Sequence, residues 1–429
     1  MEKKYIIGID IGTTNISIIL YDDKIKKLVK IYSIENEFTS DEKTQDADVI
    51  YSKVKSGLDE ILSSFEGIIS IGLTGQMHGI LYLNDFGEAI SPLYTWQNVF
   101  PSETSEENIT YLKEIKNKTS ENLYNGYGLA TLYYHKRKHL LPDGISSFAS
   151  IMDFIGMKLT GNTKPLIHSS VAASFGLFDL EESKFKIDKI KELGIDLNLI
   201  PKVTEKSPDV GFYKDIPVKI AIGDNQASVY GSLGMESGAI LLNYGTGSQI
   251  SLITDEIKYI EGIETRPYIE NKYMLCGAAL SGGRAYVVLE KFFKRYLDLI
   301  GIESKDQYEN LNKLALSANS NDLIVDTSFA GTRSDPNKKG SIINITEENF
   351  TPENLVYSTL KGMADELYDF YKLMGVKGTK LAASGNAVRK NIAFQNILEK
   401  SFNMKLRLPS VLEEAAFGAA MFSKKERSK

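Results

Sequence analysis

The chain opens with an apolar, β-branched run, YIIGID (residues 5–10), broken by IGTT and resumed as NISIILYD (15–22). Two such runs around a Gly-Thr turn predict a β-hairpin. KKLVKIYSI (26–34) predicts a third strand. In DADVIYSKVKSGLDEILSSF (46–65) the apolar positions Val49, Val54, Leu58, Ile61 and Leu62 fall near one helical face, so an amphipathic helix is expected. Another strand-like run, GIISIGL (67–73), leads into Gly75-Gln76-Met77-His78-Gly79, and GILYLN (79–84) follows. A tight turn explains those glycines. It does not explain the large polar side chains between them.

The same order returns in the second half. AILLNY (239–244), GTGS and QISLIT (249–254) repeat the strand, Gly-Thr turn and strand. ENLVYSTLKGMADELYDFY (353–371) matches the first helix at a constant offset: Tyr51, Ser52, Lys55, Asp59 and Glu60 correspond to Tyr357, Ser358, Lys361, Asp365 and Glu366. GTKLAA (378–383) then runs into Ser384-Gly385-Asn386, which parallels Thr74-Gly75-Gln76. The pattern predicts two similar α/β domains, residues 1–234 and 235–429, each built on one copy of this order. Further helices are expected at 106–118, 129–140 and 151–161 in the first half, and at 282–300 and 412–425 in the second. The final KKERSK reads as a solvated tail.

Composition narrows the picture only modestly. With 429 residues, 42% hydrophobic and 25% charged, the chain has the balance of a globular protein of two or three domains. A net charge of −6 argues against a nucleic-acid partner, which favours a basic surface. No apolar run approaches the roughly 18 residues of a membrane span, so no membrane association is expected. MEKKYIIGID lacks a following small-residue cleavage site and reads as a first strand. The lone cysteine, Cys276, excludes a disulfide within the chain and fits a reducing, cytoplasmic setting. In LCGAALSGG it reads as a small buried apolar residue.

The chemistry concentrates in the turns. No Walker A loop, dinucleotide-binding glycine fingerprint, metal-ligand cluster or G-x-S-x-G elbow is present. In Asp10-Ile11-Gly12-Thr13-Thr14, Gly12 lets backbone approach a ligand closely. The N–H groups and threonine hydroxyls there can donate to phosphate oxygens. Asp10, at a strand end, is placed to hold Mg²⁺ through water. Gly245-Thr246-Gly247-Ser248 offers the same donors in the second domain, and two such hairpins facing across a cleft would grip a nucleoside triphosphate. In VKIAIGDNQASVYG (218–231) a strand ends at Gly223-Asp224 and a helix begins near Asn225. Asp224 reads either as a helix N-cap or as a general base at a strand end.

Together GIDIGTT, LTGQMHG, AIGDNQAS, NYGTGS and the late SGN turn resemble the FGGY carbohydrate kinases, in the family's order and over nearly the whole chain. The resemblance implies an α/β fold of two duplicated ribonuclease-H-like domains of the actin and hexokinase type, with a cleft between them. It implies that Asp10 helps hold Mg²⁺, that Gly12, Thr13 and Thr14 contact phosphates, and that Gly245, Thr246 and Gly247 form a second phosphate loop. Gly385 and Asn386 would lie near the adenosine. Asp224 would be the catalytic base, and Gln76, Met77, His78 and Trp96, the chain's single tryptophan, would line the sugar site. Where the family often shows W-x-D-x-R, this chain has Trp96-Gln97-Asn98-Val99-Phe100. Asn98 can still hydrogen-bond a hydroxyl but carries no charge, which puts the sugar's identity in question more than the reaction.

The implied activity is ATP-dependent phosphorylation of a ketose at a primary hydroxyl, with sugar and ATP·Mg²⁺ as ligands and a monomer or homodimer as the working form. Two other classes remain open: a catalytically inactive sugar or nucleotide sensor, and an actin-like or chaperone-type ATPase. The latter gives Gln76, His78 and Trp96 no task.

Overall fold

The computed structural model describes residues 4–39, 43–303, 305–318, 322–333 and 335–424; residues 425–429 of the expected tail lie outside it. The chain divides into two compact units. The first takes Met1–Gly234, Pro267–Asn271 and Val411–Lys429, and the second takes Met235–Arg266 and Lys272–Ser410. A single cut after residue 234 puts the last helix in the second domain; in the structure it returns to the first.

The first unit is built on a seven-stranded sheet. Tyr5–Ile11 pairs antiparallel with Asn15–Asp22, which pairs antiparallel with Lys27–Glu35. On its other side Tyr5–Ile11 pairs in parallel with Ile68–Gly75. Ile216–Lys219 and Ile222–Gly223 extend the parallel side, and Asp209–Tyr213 closes the edge. The runs YIIGIDI and NISIILYD are almost wholly buried, so they read as continuous apolar strands rather than alternating ones.

The helix expected after the hairpin spans Ala47–Ser64. Asp46 caps it by accepting from the backbone N–H groups of Asp48 and Val49 at 2.9 and 3.0 Å. Its buried face is Ala47, Ile50, Val54, Gly57, Leu58 and Ile61. Val49 is 48% exposed, so the apolar stripe runs through Ile50 instead, one residue round from the expected face.

The second unit repeats the arrangement in a six-stranded sheet. Ala239–Tyr244 pairs antiparallel with Ser248–Thr254 and in parallel with Lys380–Ser384, as Tyr5–Ile11 does with its own two neighbours. The intervening helix is Pro352–Met374, started by Thr351 with Pro352 behind it and stopped at Gly375 in the left-handed region (φ 59°). The echo read in the sequence is therefore an echo in topology.

The terminal helix, Glu414–Ser423, packs on the strands Tyr5–Ile11 and Ile68–Gly75 and on the helix Asp224–Leu233. Glycine makes these approaches possible. A Cβ on Gly8 would lie 1.9 Å from the Ala416 carbonyl oxygen, one on Gly72 1.9 Å from that of Ala419, and one on Gly418 1.7 Å from that of Ala227. No helix among the described residues is long and apolar enough to cross a membrane.

Candidate active site

In the first unit the site residues gather at the carboxyl ends of the parallel strands. Asp10 is level with Thr74 on the neighbouring strand, and Thr74 is level with Ile222 on the next. The Thr74 hydroxyl donates to the Ile222 carbonyl at 2.7 Å, which fixes the strand end from which Asp224 emerges. Asp224 is the first residue of the helix Asp224–Leu233, and the cap position belongs to Gly223. The Asp224 carboxylate accepts from the N–H of Asn225 at 2.6 Å, so its direction is set by its own backbone.

Two further carboxylates, Asp224 and Glu413, act on Asp10 here. Asp10 keeps part of its surface, yet burial, followed by the charges of Asp224 and Glu413, pushes its carboxyl up to about 7. Glu413 enters from the start of the terminal helix and accepts from the Ser17 hydroxyl at 2.8 Å; Ser17 is the cross-strand partner of Asp10. Among the described residues no group of three or more such side chains has the geometry of a metal cage. That donor set fits Mg²⁺, which keeps several waters and takes one or two carboxylates plus substrate phosphates.

Around the first turn the side chains form a hydrogen-bonded chain. The Trp96 indole N–H donates to the Thr13 hydroxyl at 2.9 Å, and the Thr13 hydroxyl donates to Gln76 Oε1 at 3.3 Å. Gln76 Nε2 donates to Gln45 Oε1 at 2.7 Å, and Gln45 Nε2 donates back to the Thr13 carbonyl at 2.8 Å. The Thr13 hydroxyl proton is therefore directed at Gln76 rather than towards a phosphate. Gln76 is 4% exposed and has both ends of its amide bonded. Trp96, by contrast, is 47% exposed.

His78 adopts φ 71°, a left-handed conformation unusual outside glycine. Its ring stacks on Tyr127 with centroids 4.6 Å apart, and its Nδ1 lies 2.8 Å from the Ser174 carbonyl. A carbonyl only accepts, so Nδ1 carries a proton, and in the neutral imidazole Nε2 is then the acceptor nitrogen. Two expected sugar contacts are placed differently. Met77 is buried in the core and packs beneath Gly223, where a Cβ would lie 2.6 Å from its sulfur. Asn98 is 1% exposed, and its Oδ1 accepts from the N–H of Phe100 at 3.0 Å, so its carboxamide holds a turn.

In the second unit Gly245, Thr246, Gly385 and Asn386 line one cavity of about 1180 Å³. Gly385 has φ 99°, and a Cβ there would lie 2.2 Å from the Tyr244 carbonyl oxygen. The opposite wall is the helix Gly282–Leu299, whose first turn is tied to the Gly-Thr turn. The N–H of Gly283 donates to Gly245 at 2.9 Å, and that of Arg284 to Thr246 at 3.0 Å. A Cβ on Gly282 would fall 2.1 Å from Gly247, so only the Gly282-Gly283 pair lets the helix start this close. A helix N-terminus beside a turn of N–H groups is a ready anion site.

The cavity is also lined by Tyr286, Tyr308, Asn312 and Lys390. Tyr286 donates to Asn312 Oδ1 at 2.7 Å, and Asn312 Nδ2 donates to the Lys390 carbonyl at 3.0 Å. Sequence reasoning missed this wall. Its one signal is Gly-Gly at a helix start directly after a strand. Gly12, Thr13 and Thr14 belong to the other unit and do not line this cavity.

Duplicated α/β units, each with a Gly-Thr turn, one beside a nucleotide-sized cavity and the other beside a strand-end carboxylate, have the form of a two-domain kinase. Models of the FGGY family of carbohydrate kinases match the chain, the N-terminal domain over residues 5–231 and the C-terminal domain over 241–423. The protein belongs to that family and is a carbohydrate kinase. It is 22% identical to the sedoheptulokinase of Mus musculus, over 97% of this chain and 96% of that one. Its fold is shared with the solved xylulose kinase from Rhodospirillum rubrum, at TM-score 0.84, 19% identity and coverage of 97% and 89% of the two chains. It is shared too with Plasmodium falciparum glycerol kinase with ADP, at TM-score 0.81, 18% identity and coverage of 99% and 90%.

Proposed function

We propose that this carbohydrate kinase transfers the γ-phosphoryl group of ATP to the primary hydroxyl of a ketose, and that the ketose is sedoheptulose, giving sedoheptulose 7-phosphate. The observation that carries the reaction is Asp224, a carboxylate fixed at a strand end of the sheet whose neighbouring strands run into His78 and the Gly12–Thr14 turn, to which Trp96 is hydrogen-bonded. The near full-length likeness to a sedoheptulokinase supports the choice of sugar.

In this reading the sugar stacks on the half-exposed Trp96 ring, and His78 Nε2 accepts from one of its hydroxyls. Asp224 takes the proton of the attacking hydroxyl as its oxygen bonds to the γ-phosphorus and the bond to the departing ADP oxygen breaks. Asp10 would hold Mg²⁺, which supplies charge neutralisation along the phosphates. ATP would occupy the cavity of the second unit, with phosphates at Gly245–Gly247 and the N-terminus of Gly282–Leu299. Its adenosine would lie by Gly385 and Asn386. A reducing, cytoplasmic setting fits the single buried cysteine.

D-Xylulose is the second reading, since Gln76-Met77-His78 does not by itself separate two ketoses with the same reacting end. A coupled ADP-release assay with sedoheptulose, D-xylulose, L-xylulose, D-ribulose, D-fructose and glycerol tests the proposal. Sedoheptulose is expected to give the highest kcat/KM. A higher value for another sugar replaces the substrate, and ADP release with none of them overturns the ketose assignment.

A further inference from the structure

The Gly12–Thr14 turn is held from behind by two side chains that no motif marks. Asn36 Nδ2 donates to the Gly12 carbonyl at 2.9 Å, and Gln45 Nε2 donates to the Thr13 carbonyl at 2.8 Å. The backbone N–H of Asn36 also donates to the Thr14 carbonyl at 2.8 Å, so three successive carbonyls of the turn are anchored. Asn36 is 6% exposed and Gln45 is fully buried. Buried amides must be satisfied inside the protein, so each is committed to this geometry.

The peptide bonds here are trans, since the described chain has no cis peptide. In a planar trans peptide the N–H points opposite to the C=O of the same unit. Anchoring the Gly12 carbonyl therefore aims the N–H of Thr13 the other way, and anchoring the Thr13 carbonyl does the same for the N–H of Thr14. Among the described residues neither N–H meets a protein acceptor. The Thr13 hydroxyl proton is engaged by Gln76, so these two N–H groups remain, beside the Thr14 hydroxyl, as donors of the turn.

We infer that Asn36 and Gln45 are positioning residues that fix the N–H groups of Thr13 and Thr14 as a preformed pair of donors for the phosphoryl group in transfer, a reading that rests on the proposed kinase reaction. The pair acts through the backbone, with no contact to either substrate. Donors held ready before charge develops need no reorganisation as it does, and their alignment affects the chemical step more than ground-state binding.

The test uses Gln45→Met and Asn36→Leu, which keep much of the side-chain volume and remove the donor. Each is expected to lower kcat about tenfold, as loss of outer-layer support does elsewhere. The Kd for adenosine and the KM for the sugar should stay within about twofold, a change worth less than a single weak hydrogen bond. A merely structural role would instead lower the melting temperature and shift all three together. Should Gln45→Met fail to fold, Gln45→Glu keeps the shape and the acceptor for Gln76 while losing the donor to Thr13. Unchanged kcat in a folded variant at either position overturns the inference. Absence of sugar-dependent ADP release in the unmodified protein overturns the kinase reading instead, so the two failures are distinguishable.

Discussion

Asp224→Asn isolates the proposed base with little structural change. The side chain's size is kept, and the amide oxygen can still accept from the N–H of Asn225, the 2.6 Å bond that sets its direction. What is lost is the charge and the ability to take a proton. A positioned general base contributes about a hundredfold to ten-thousandfold, so kcat should fall by that factor, equivalent to about 3 to 5 kcal/mol of barrier. Sugar binding should survive, because the surfaces proposed to hold the sugar, the Trp96 face and the His78 ring, are untouched. The chain carries its own reporter for this: Trp96 is its only tryptophan, and it is half-exposed. Titration of the intrinsic fluorescence with sedoheptulose gives the Kd of both proteins, and coupled ADP release gives kcat. Turnover near that of the unmodified enzyme would refute Asp224 as the base. A lost Kd together with lost kcat would make it a sugar-binding residue, and would equally refute the role assigned to it.

Trp96→Phe keeps an aromatic face and removes the indole N–H bonded to Thr13 at 2.9 Å, so kcat/KM for the sugar is expected to fall about fivefold, the weight of one hydrogen bond. Trp96→Ala should fall further in the same ADP-release assay, and equal losses would mean that the ring face contributes nothing. Stability should decline in acid for a separate reason. Burial holds the His135 and His168 imidazoles down at about 4, below the value near 6.5 of an unfolded histidine, so the unfolded chain binds more protons between those values. Their contribution is complete above about pH 6.5 and is lost as the pH falls towards 4, by at most about 3 kcal/mol each. Urea denaturation from pH 7.5 to 4.5 measures it. His135→Gln, which can still accept from Tyr82 where His135 Nδ1 lies 2.7 Å from that hydroxyl, should flatten the slope; an unchanged slope would show that folding does not hold the His135 imidazole below its unfolded value.

The duplicated hairpins were legible because the signal is local and doubled. β-Branched runs flank Gly12-Thr13 and Gly245-Thr246, and both pairs fold as antiparallel strands joined by that turn. Asp10 and Asp224 were legible as strand-end carboxylates because each closes an apolar run. Asn36 and Gln45 were not. Each is a lone polar residue whose partner is a backbone carbonyl 24 or 32 positions away, and no spacing rule marks such a pair. Met77 and Asn98 show the converse: both stand inside motifs, yet one packs under Gly223 and the other holds a turn. A motif records that residues travel together, not which of them face the ligand. The cavity wall at 282–312 was hidden because helical periodicity gives a face but not what that face meets.

The terminal helix is the most instructive of these cases, because part of its story was in the strands. Glycine inside a strand weakens it unless another backbone must come close. Gly8 and Gly72 interrupt two of the most apolar strands in the chain, and both are occupied from above by carbonyls of Ala416 and Ala419. The small residues of EEAAFGAA supply the matching surface, and Gly418 meets Ala227 in the helix that begins at Asp224. Strand glycines and helix alanines are thus two halves of one contact, separated by about 350 to 410 residues of sequence. That contact explains why the chain's last helix returns to the first unit. It braces the strand that carries Asp10 and the helix starting at Asp224, and so supports the two carboxylates on which the proposed chemistry depends.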